Sequence, residues 1–258
     1  MNKPLPSAAK AYPGTQAVLR ALRMLKLFHA QPTLSLADVR ERTGLNRSTA
    51  FRILTALEAE GMLERLDRDA YRLGPQIAAL GRRASGAGDL RELAQRELDA
   101  LAARLNETVT LETLAGRDAV VLAEATGAHM IGALPGLGAS WPAHATSAGK
   151  VLLAALEPAR REEALRGKLK TLTPRTLATK KTLVAELERV ARRGWAMSFE
   201  ELEPGYVSVS VPVLDANDKT IAALTAGGPR HRLPRARLES LAAVLSRSAA
   251  LLRIELGG

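Results

Sequence analysis

Residues 35–61, SLADVRERTGLNRSTAFRILTALEAEG, constrain this chain more than any other stretch. They predict two short helices joined by a tight turn, the first carrying Leu36 and Val39 and ending at Gly44. In the second, Ala50, Ile53, Leu54 and Leu57 fall on one side at 3.6 residues per turn. Ser48, Arg52, Thr55 and Ala59 fall on the other, a face with hydroxyls and a cation but no acid. Asn46 is suited to cap this second helix, with Arg47, Ser48 and Thr49 just behind it. This is the pattern of a helix-turn-helix whose second helix enters a DNA major groove by its N-terminal end.

An antiparallel helix pair with a solvated face would give a similar pattern, and the residues that follow separate the two. MLERLDRDAYRLG reads as two short strands about a charged turn, a wing that sets Arg65, Arg68 and Arg72 beside the helix where phosphates would lie. The charge distribution agrees. Residues 1–88 hold 14 Lys and Arg against 7 Asp and Glu, whereas residues 89–258 hold 23 against 20, so the net charge of +10 is concentrated at one end.

A chain of 258 residues, 47% apolar, is long enough for two cored domains. With no cysteine it has no disulfide, thiol nucleophile or thiolate metal site. No stretch is long and apolar enough for a membrane span, and the N-terminus lacks the apolar core of a secretory signal. A cytoplasmic protein with no membrane partner is therefore expected. Its four histidines show no metal-ligand spacing and no serine lies in a G-x-S-x-G elbow, so no catalytic residue, metal or cofactor is expected.

In chain order, residues 1–14 read as a flexible arm rich in Pro and Gly. Residues 15–74 read as the winged unit, opened by a helix with Val18, Leu22, Leu25 and Phe28 on its inner side. Residues 75–88 form a connecting helix that ends in the flexible ASGAG. A long helix with Leu90, Leu93, Leu101 and Leu105 then packs on its own sheet or meets a partner subunit. An antiparallel hairpin spans 108–125, a third strand 130–134, and PGLGASWP is a loop. HATSAGK opens a helix; a second helix spans 181–193, strands 195–199, 206–214 and 220–226 follow, and residues 235–256 close the chain as a helix. Residues 89–258 thus form an α+β domain, a sheet flanked by helices.

GLNRSTAFRILTALEAEGMLER, HATSAGKVLLA, TLATKKTLVAELERVARRGWAMSFEELEPG and VSVSVPVLDANDKTIAALTAGGP, in this order, resemble the IclR family of bacterial transcriptional regulators. That resemblance covers nearly the whole chain from Thr15. It implies a winged helix-turn-helix joined by a linker helix to a GAF-like effector-binding domain, acting as a homodimer or dimer of dimers on a palindromic operator in double-stranded DNA. It also implies a small-molecule effector held between the start of the HATSAGK helix, at Thr146, Ser147 and Ala148, and the facing strands.

Free N–H groups at a helix start attract an anion, although the same residues can serve merely as an N-cap. HATSAGK lacks the first glycine of a phosphate loop, so a nucleotide site is not expected. On the strands, the family's acidic position falls at Ser198, its Cys position at Ser208 and its hydroxyl positions at Thr225 and Gly227; Tyr206 and Trp141 are further candidates to line the pocket. With Ser198 in the acidic position no carboxylate is expected there, and Gly227 and Ala226 would add space. The effector expected is neutral or a monocarboxylate, aromatic compounds included. The competing class is a metabolite-binding module or enzyme with an accessory basic domain; salt-sensitive preference for one palindrome over random DNA separates the two.

Overall fold

The computed structural model describes residues 15–28, 31–66, 70–84, 87–128 and 136–255. The arm at 1–14, the wing turn at 67–69 with Arg68, and the strand expected at 130–134 lie outside the described residues. Two compact units are present, Met1–Gly88 and Asp89–Gly258.

In the first unit, α1 (Gln16–Leu27) precedes the strand β1 (Leu34–Ser35), then α2 (Leu36–Thr43) and α3 (Arg47–Ala59). Ser35 and Asp38 close a capping box on α2, with the Asp38 carboxylate accepting from the Ser35 N–H at 2.8 Å. The wing strands are β2 (Leu63–Leu66) and β3 (Ala70–Leu73), followed by α4 (Pro75–Ala84). Leu34 and Ser35 pair with Tyr71 and Ala70, so the wing is a three-stranded sheet in the order β1-β3-β2 rather than a bare hairpin.

The core of this unit gathers Met24, Leu27, Phe28, Val39, Ala50, Leu54, Leu63 and Tyr71. Each large apolar side chain among them stabilises the unit by about 1.5–3 kcal/mol relative to its exposed state. Val18 and Leu22 do not join them, being 59% and 50% exposed. The inner stripe of α1 instead runs through Met24, Leu27 and Phe28, with Leu25 at its margin. Of the expected inner line Val18, Leu22, Leu25 and Phe28, Phe28 is in the core and Leu25 packs against it, while Met24 and Leu27, one residue off that line, take the inner side.

The second unit opens with α5 (Ala87–Leu105), so Ala87 and Gly88 are already helical where the sequence suggested a flexible break. Leu90, Ala94, Leu98, Leu101 and Leu105 are buried within this chain, while Leu93 of the expected stripe is half-buried. A six-stranded antiparallel sheet follows. Its members are β4 (Thr108–Ala115), β5 (Asp118–Ala125), β6 (Ser140–Pro142), β7 (Ala196–Phe199), β8 (Tyr206–Leu214) and β9 (Thr220–Pro229), in the order β6-β5-β4-β9-β8-β7. β6 occupies the end of PGLGASWP, where a loop was expected; Trp141 pairs with Ala119.

Helices α6 (Ser147–Ala154), α7 (Pro158–Ala164) and α8 (Lys180–Arg193) lie between β6 and β7 in sequence, and α9 (Arg235–Glu255) closes the chain against β8 and β9. Strand alternation sorts the sheet into two faces. Register places Thr110, Glu112, Thr225, Ser208, Ser210 and Ser198 together on one face, where α6 packs, while Val207, Val209, Val211 and Val213 point the other way. An apolar layer of Ala119, Ala148, Val151, Leu152, Val190, Ala196 and Ala223 seats α6 on that polar face. The turn that precedes α6 also packs closely on it: a side chain at Gly149 would run into the backbone of Ala143.

Candidate functional site

The first unit presents α3 as an exposed ridge. Ala50 and Leu54 are buried, Ile53 and Leu57 half-buried, and Arg47, Ser48, Arg52, Thr55 and Ala59 exposed, with Thr49 intermediate. Asn46 caps the helix: its Oδ1 accepts from the Thr49 N–H at 2.8 Å and from the Ser48 hydroxyl at 3.0 Å. That oxygen is therefore occupied, and the Asn46 amide nitrogen is the part of the side chain left to face outward. Phe51, 43% exposed between Arg47 and Thr55 on the same ridge, went unnoticed in the sequence, where it reads as another apolar core position.

On the wing, Arg65 and Arg72 are exposed. Arg65 lies over the Tyr71 ring at 5.9 Å, and Arg72 is paired with Glu64 across the hairpin, Nε to Oε2 at 2.9 Å. Both members of that pair are about half exposed, so it is a weak surface pair that a phosphate can replace.

In the second unit the start of α6 and the polar face of the sheet enclose a cavity of about 10 Å³, lined by Glu112, Trp141, Thr146, Ser147, Ala148, Ser198, Leu202, Tyr206, Ser208 and Thr225. That is room for roughly one water. All the pocket residues expected from the sequence come together here except Gly227. Tyr206 explains the exception, since its hydroxyl lies where a side chain on Gly227 would be. Gly227 therefore makes room for Tyr206, and Ala226 points to the opposite face of β9, so neither enlarges the cavity.

The hydroxyls are largely committed to one another. Ser147 Oγ meets Ser208 Oγ at 2.7 Å and accepts from Ser210 Oγ at 2.7 Å, while Ser210 meets Thr225 Oγ1 at 2.7 Å. Thr146 is the N-cap of α6, accepting from the Gly149 N–H at 3.0 Å. Ser198 donates to the Ala145 carbonyl at 2.9 Å and is not a free pocket donor. Their polarity serves to fix α6 on the sheet.

Sequence reasoning missed Glu112. The residue, expected nowhere in this site, is 4% exposed, and its carboxyl accepts from Thr110 Oγ1 at 2.7 Å. Burial pushes it above the ordinary carboxylate range, against hydrogen bonds from Thr110 and Thr225. Burial likewise raises Glu124, across from Thr110 on β5, and raises the Tyr206 phenol, with the charges of Glu112, Glu124 and Glu107 adding to that effect. The alternation of β4 alone would have placed Glu112 with Thr110 on the inner face, had the hairpin been read for facing rather than for strand boundaries. Glu124 Oε2 and Trp141 Nε1 are buried without a hydrogen-bond partner. Lys150, the last residue of HATSAGK, points away from the cavity chemistry and binds Glu201.

A capped recognition helix with a basic wing in one unit, and an enclosed polar cavity at a helix start in the other, define a ligand-responsive DNA-binding regulator. Residues 17–67 match the IclR helix-turn-helix domain, and residues 83–253 match the C-terminal domain of the bacterial transcriptional regulator IclR. The chain belongs to the IclR family of transcriptional regulators and is not an enzyme.

It is 34% identical to the HTH-type transcriptional regulator XynR of Escherichia coli over 248 residues, 95% of this chain and 98% of that one. With the Pca regulon regulatory protein of Pseudomonas putida it shares 32% identity over 226 residues, 86% of this chain and 77% of that one. Among solved structures, an IclR homolog from Microbacterium hydrocarbonoxydans complexed with 4-hydroxybenzoate superposes with a TM-score of 0.79 at 27% identity, covering 93% of this chain and 99% of that one. The Thermotoga maritima IclR gives 0.69 at 26%, covering 95% and 100%.

Proposed function

We propose that this regulator binds an inverted repeat in the cytoplasm as a homodimer or a dimer of dimers. In this reading residues 15–74 hold DNA, residues 75–88 link, and residues 89–258 hold the effector. The exposed ridge of α3 carries the proposal: Asn46, Arg47, Ser48, Thr49, Arg52 and Thr55 read base edges, and Arg65 and Arg72 contact phosphates. One recognition helix spans too few base pairs for useful specificity, and two-fold pairing doubles the site.

The effector sits between the start of α6 and the strand residues Ser208, Thr225 and Tyr206, and is neutral or a monocarboxylate. An aromatic monocarboxylate is supported by the Microbacterium complex and by a p-hydroxybenzoate hydroxylase transcriptional activator of Acinetobacter baylyi, 30% identical over 249 residues. Since the cavity holds about 10 Å³, binding such a molecule requires side chains that line it to move outward.

Selection from random duplexes tests the DNA reading. A salt-sensitive preference for one inverted repeat, with a dimer or tetramer in sedimentation, is the expected result. A monomer that footprints a single half-site, or binding indifferent to sequence, would contradict it.

A further inference from the structure

Glu112 is the acidic group inside the cavity, and the cavity offers it no counter-charge. Among the described residues that line the cavity none is basic, and the nearest member of HATSAGK, Lys150, keeps its ammonium on Glu201 at 2.7 and 2.9 Å. A buried carboxyl with two oxygens has more acceptor capacity than the Thr110 and Thr225 hydroxyls fill. Ser210 gives its proton to Ser147, so the 2.7 Å contact between Ser210 and Thr225 takes the Thr225 proton, and the hydroxyl chain leaves Glu112 little donation beyond Thr110. Trp141, which also lines the cavity, holds a buried indole N–H without a partner. Such a site rewards a molecule that brings a donor to the acid and an acceptor to the indole, and penalises one that leaves both unpaired.

We propose that Glu112 determines effector specificity by accepting a hydrogen bond from a hydroxyl of the ligand, so that the effector is a hydroxylated small molecule rather than its deoxygenated counterpart. The assignment rests on the reading of this cavity as the effector site. A neutral hydroxyl suits this position better than an ammonium, because burial favours the uncharged carboxyl, which donates one hydrogen bond and still accepts others. Hydroxyl recognition by buried polar groups is discriminating: the analogue that lacks the hydroxyl strands them without water.

Thermal stabilisation of the full-length protein tests this, using benzoate, its monohydroxy isomers and their methyl ethers, and gluconate beside hexanoate, at millimolar concentration. Hydroxylated members should raise the melting temperature more than their deoxygenated or methylated counterparts. Against the best of them, Glu112→Met should lose at least about tenfold in affinity, while Glu112→Gln, which keeps the accepting oxygen, stays within about threefold.

Equal binding of hydroxylated and deoxygenated compounds, undiminished binding by Glu112→Met, or no shift from any hydroxylated probe overturns the assignment. Ser208→Leu, or Ala148→Val if that variant does not melt cooperatively, fills the cavity and separates two failures. A shift lost on filling but kept by Glu112→Met leaves the cavity as the effector site and removes Glu112 from recognition. A shift that survives both places the ligand outside the cavity, and the reading of the site fails with it.

Discussion

Lys150 Nζ lies 2.7 and 2.9 Å from the two carboxylate oxygens of Glu201, and both residues are buried. The pair ties the first turn of α6 to the connection between β7 and β8, whose next residue, Leu202, lines the cavity. Burial pushes the Glu201 carboxyl up, against the pull of the ammonium, so this pair contributes position more than net stability. Lys150→Met should cost about 3–5 kcal/mol because Glu201 is left buried and unpaired, whereas Lys150→Met with Glu201→Leu should recover much of the loss. Denaturant melts of the two variants check this; a double variant as unstable as the single one would mean that the charge pair itself holds the fold.

The buried Glu112 gives a pH dependence whose sign follows from its raised pKa. The folded state holds the Glu112 proton more tightly than the unfolded chain does, whose carboxyl has the ordinary value of 4.5. Its contribution to stability is therefore complete below that value and is lost as pH rises from it through the raised folded value. Glu112→Gln should be more stable than the parent at neutral pH and should converge with it under acid conditions. A difference of 1 kcal/mol would appear as about 2–4 °C in a unit of this size. Glu124, raised in the same direction, faces the same region with the Tyr206 phenol, so some slope should persist in Glu112→Gln. Parallel curves for the two proteins would show that Glu112 is charged when folded.

What the sequence made legible was set by periodicity and by short-range signals. Asn46 and Thr146 were recognisable as caps because a cap is a local hydrogen bond, and the inner side of α3 followed from its own 3.6-residue repeat. The wing hairpin was readable, but β1 was not, since two residues carry no period and pair only through the long-range contact of Leu34 with Tyr71. In the pocket, the residue positions carried by the family pattern converge on one cavity, Gly227 excepted. What each does there was hidden, because Ser198 spends its hydroxyl on Ala145 and Tyr206 takes the space above Gly227. Those are properties of facing strands and of α6 packed on them, and no window of sequence contains both partners.

The pairing of Arg72 with Glu64 implies that the wing is held below its full positive charge. Glu64→Gln frees Arg72 for a phosphate and should tighten binding to specific and random DNA alike. Because Arg72 already meets a phosphate in the proposed complex, the slope of log affinity against log salt should change little in Glu64→Gln and become shallower by about one in Arg72→Ala. Arg72→Ala should weaken binding uniformly across sequences. Titrations at two salt concentrations decide the matter: unchanged affinity in both variants would remove the wing strands from the phosphate contacts.

Arg52 and Phe51 stand side by side on the exposed ridge of α3 and should read DNA by different chemistry. An outward arginine that recognises a base should lose about 1–3 kcal/mol on the specific site alone when replaced by Ala, and an equal loss on random DNA would make it a phosphate contact. Phe51 has no polar group to offer, so its partner in a major groove is the thymine methyl. Losing contact with one methyl group corresponds to about 0.8 kcal/mol, or about fourfold in affinity. Replacing each dT of the selected operator by dU, one position at a time, should weaken the parent protein about fourfold at one position in each half-site. Phe51→Ala should be insensitive to that replacement while remaining sensitive to changes at the base read by Arg52. If the dT to dU penalty is the same with and without the phenyl ring, Phe51 does not touch a thymine, and its exposed ring faces a partner other than the bases.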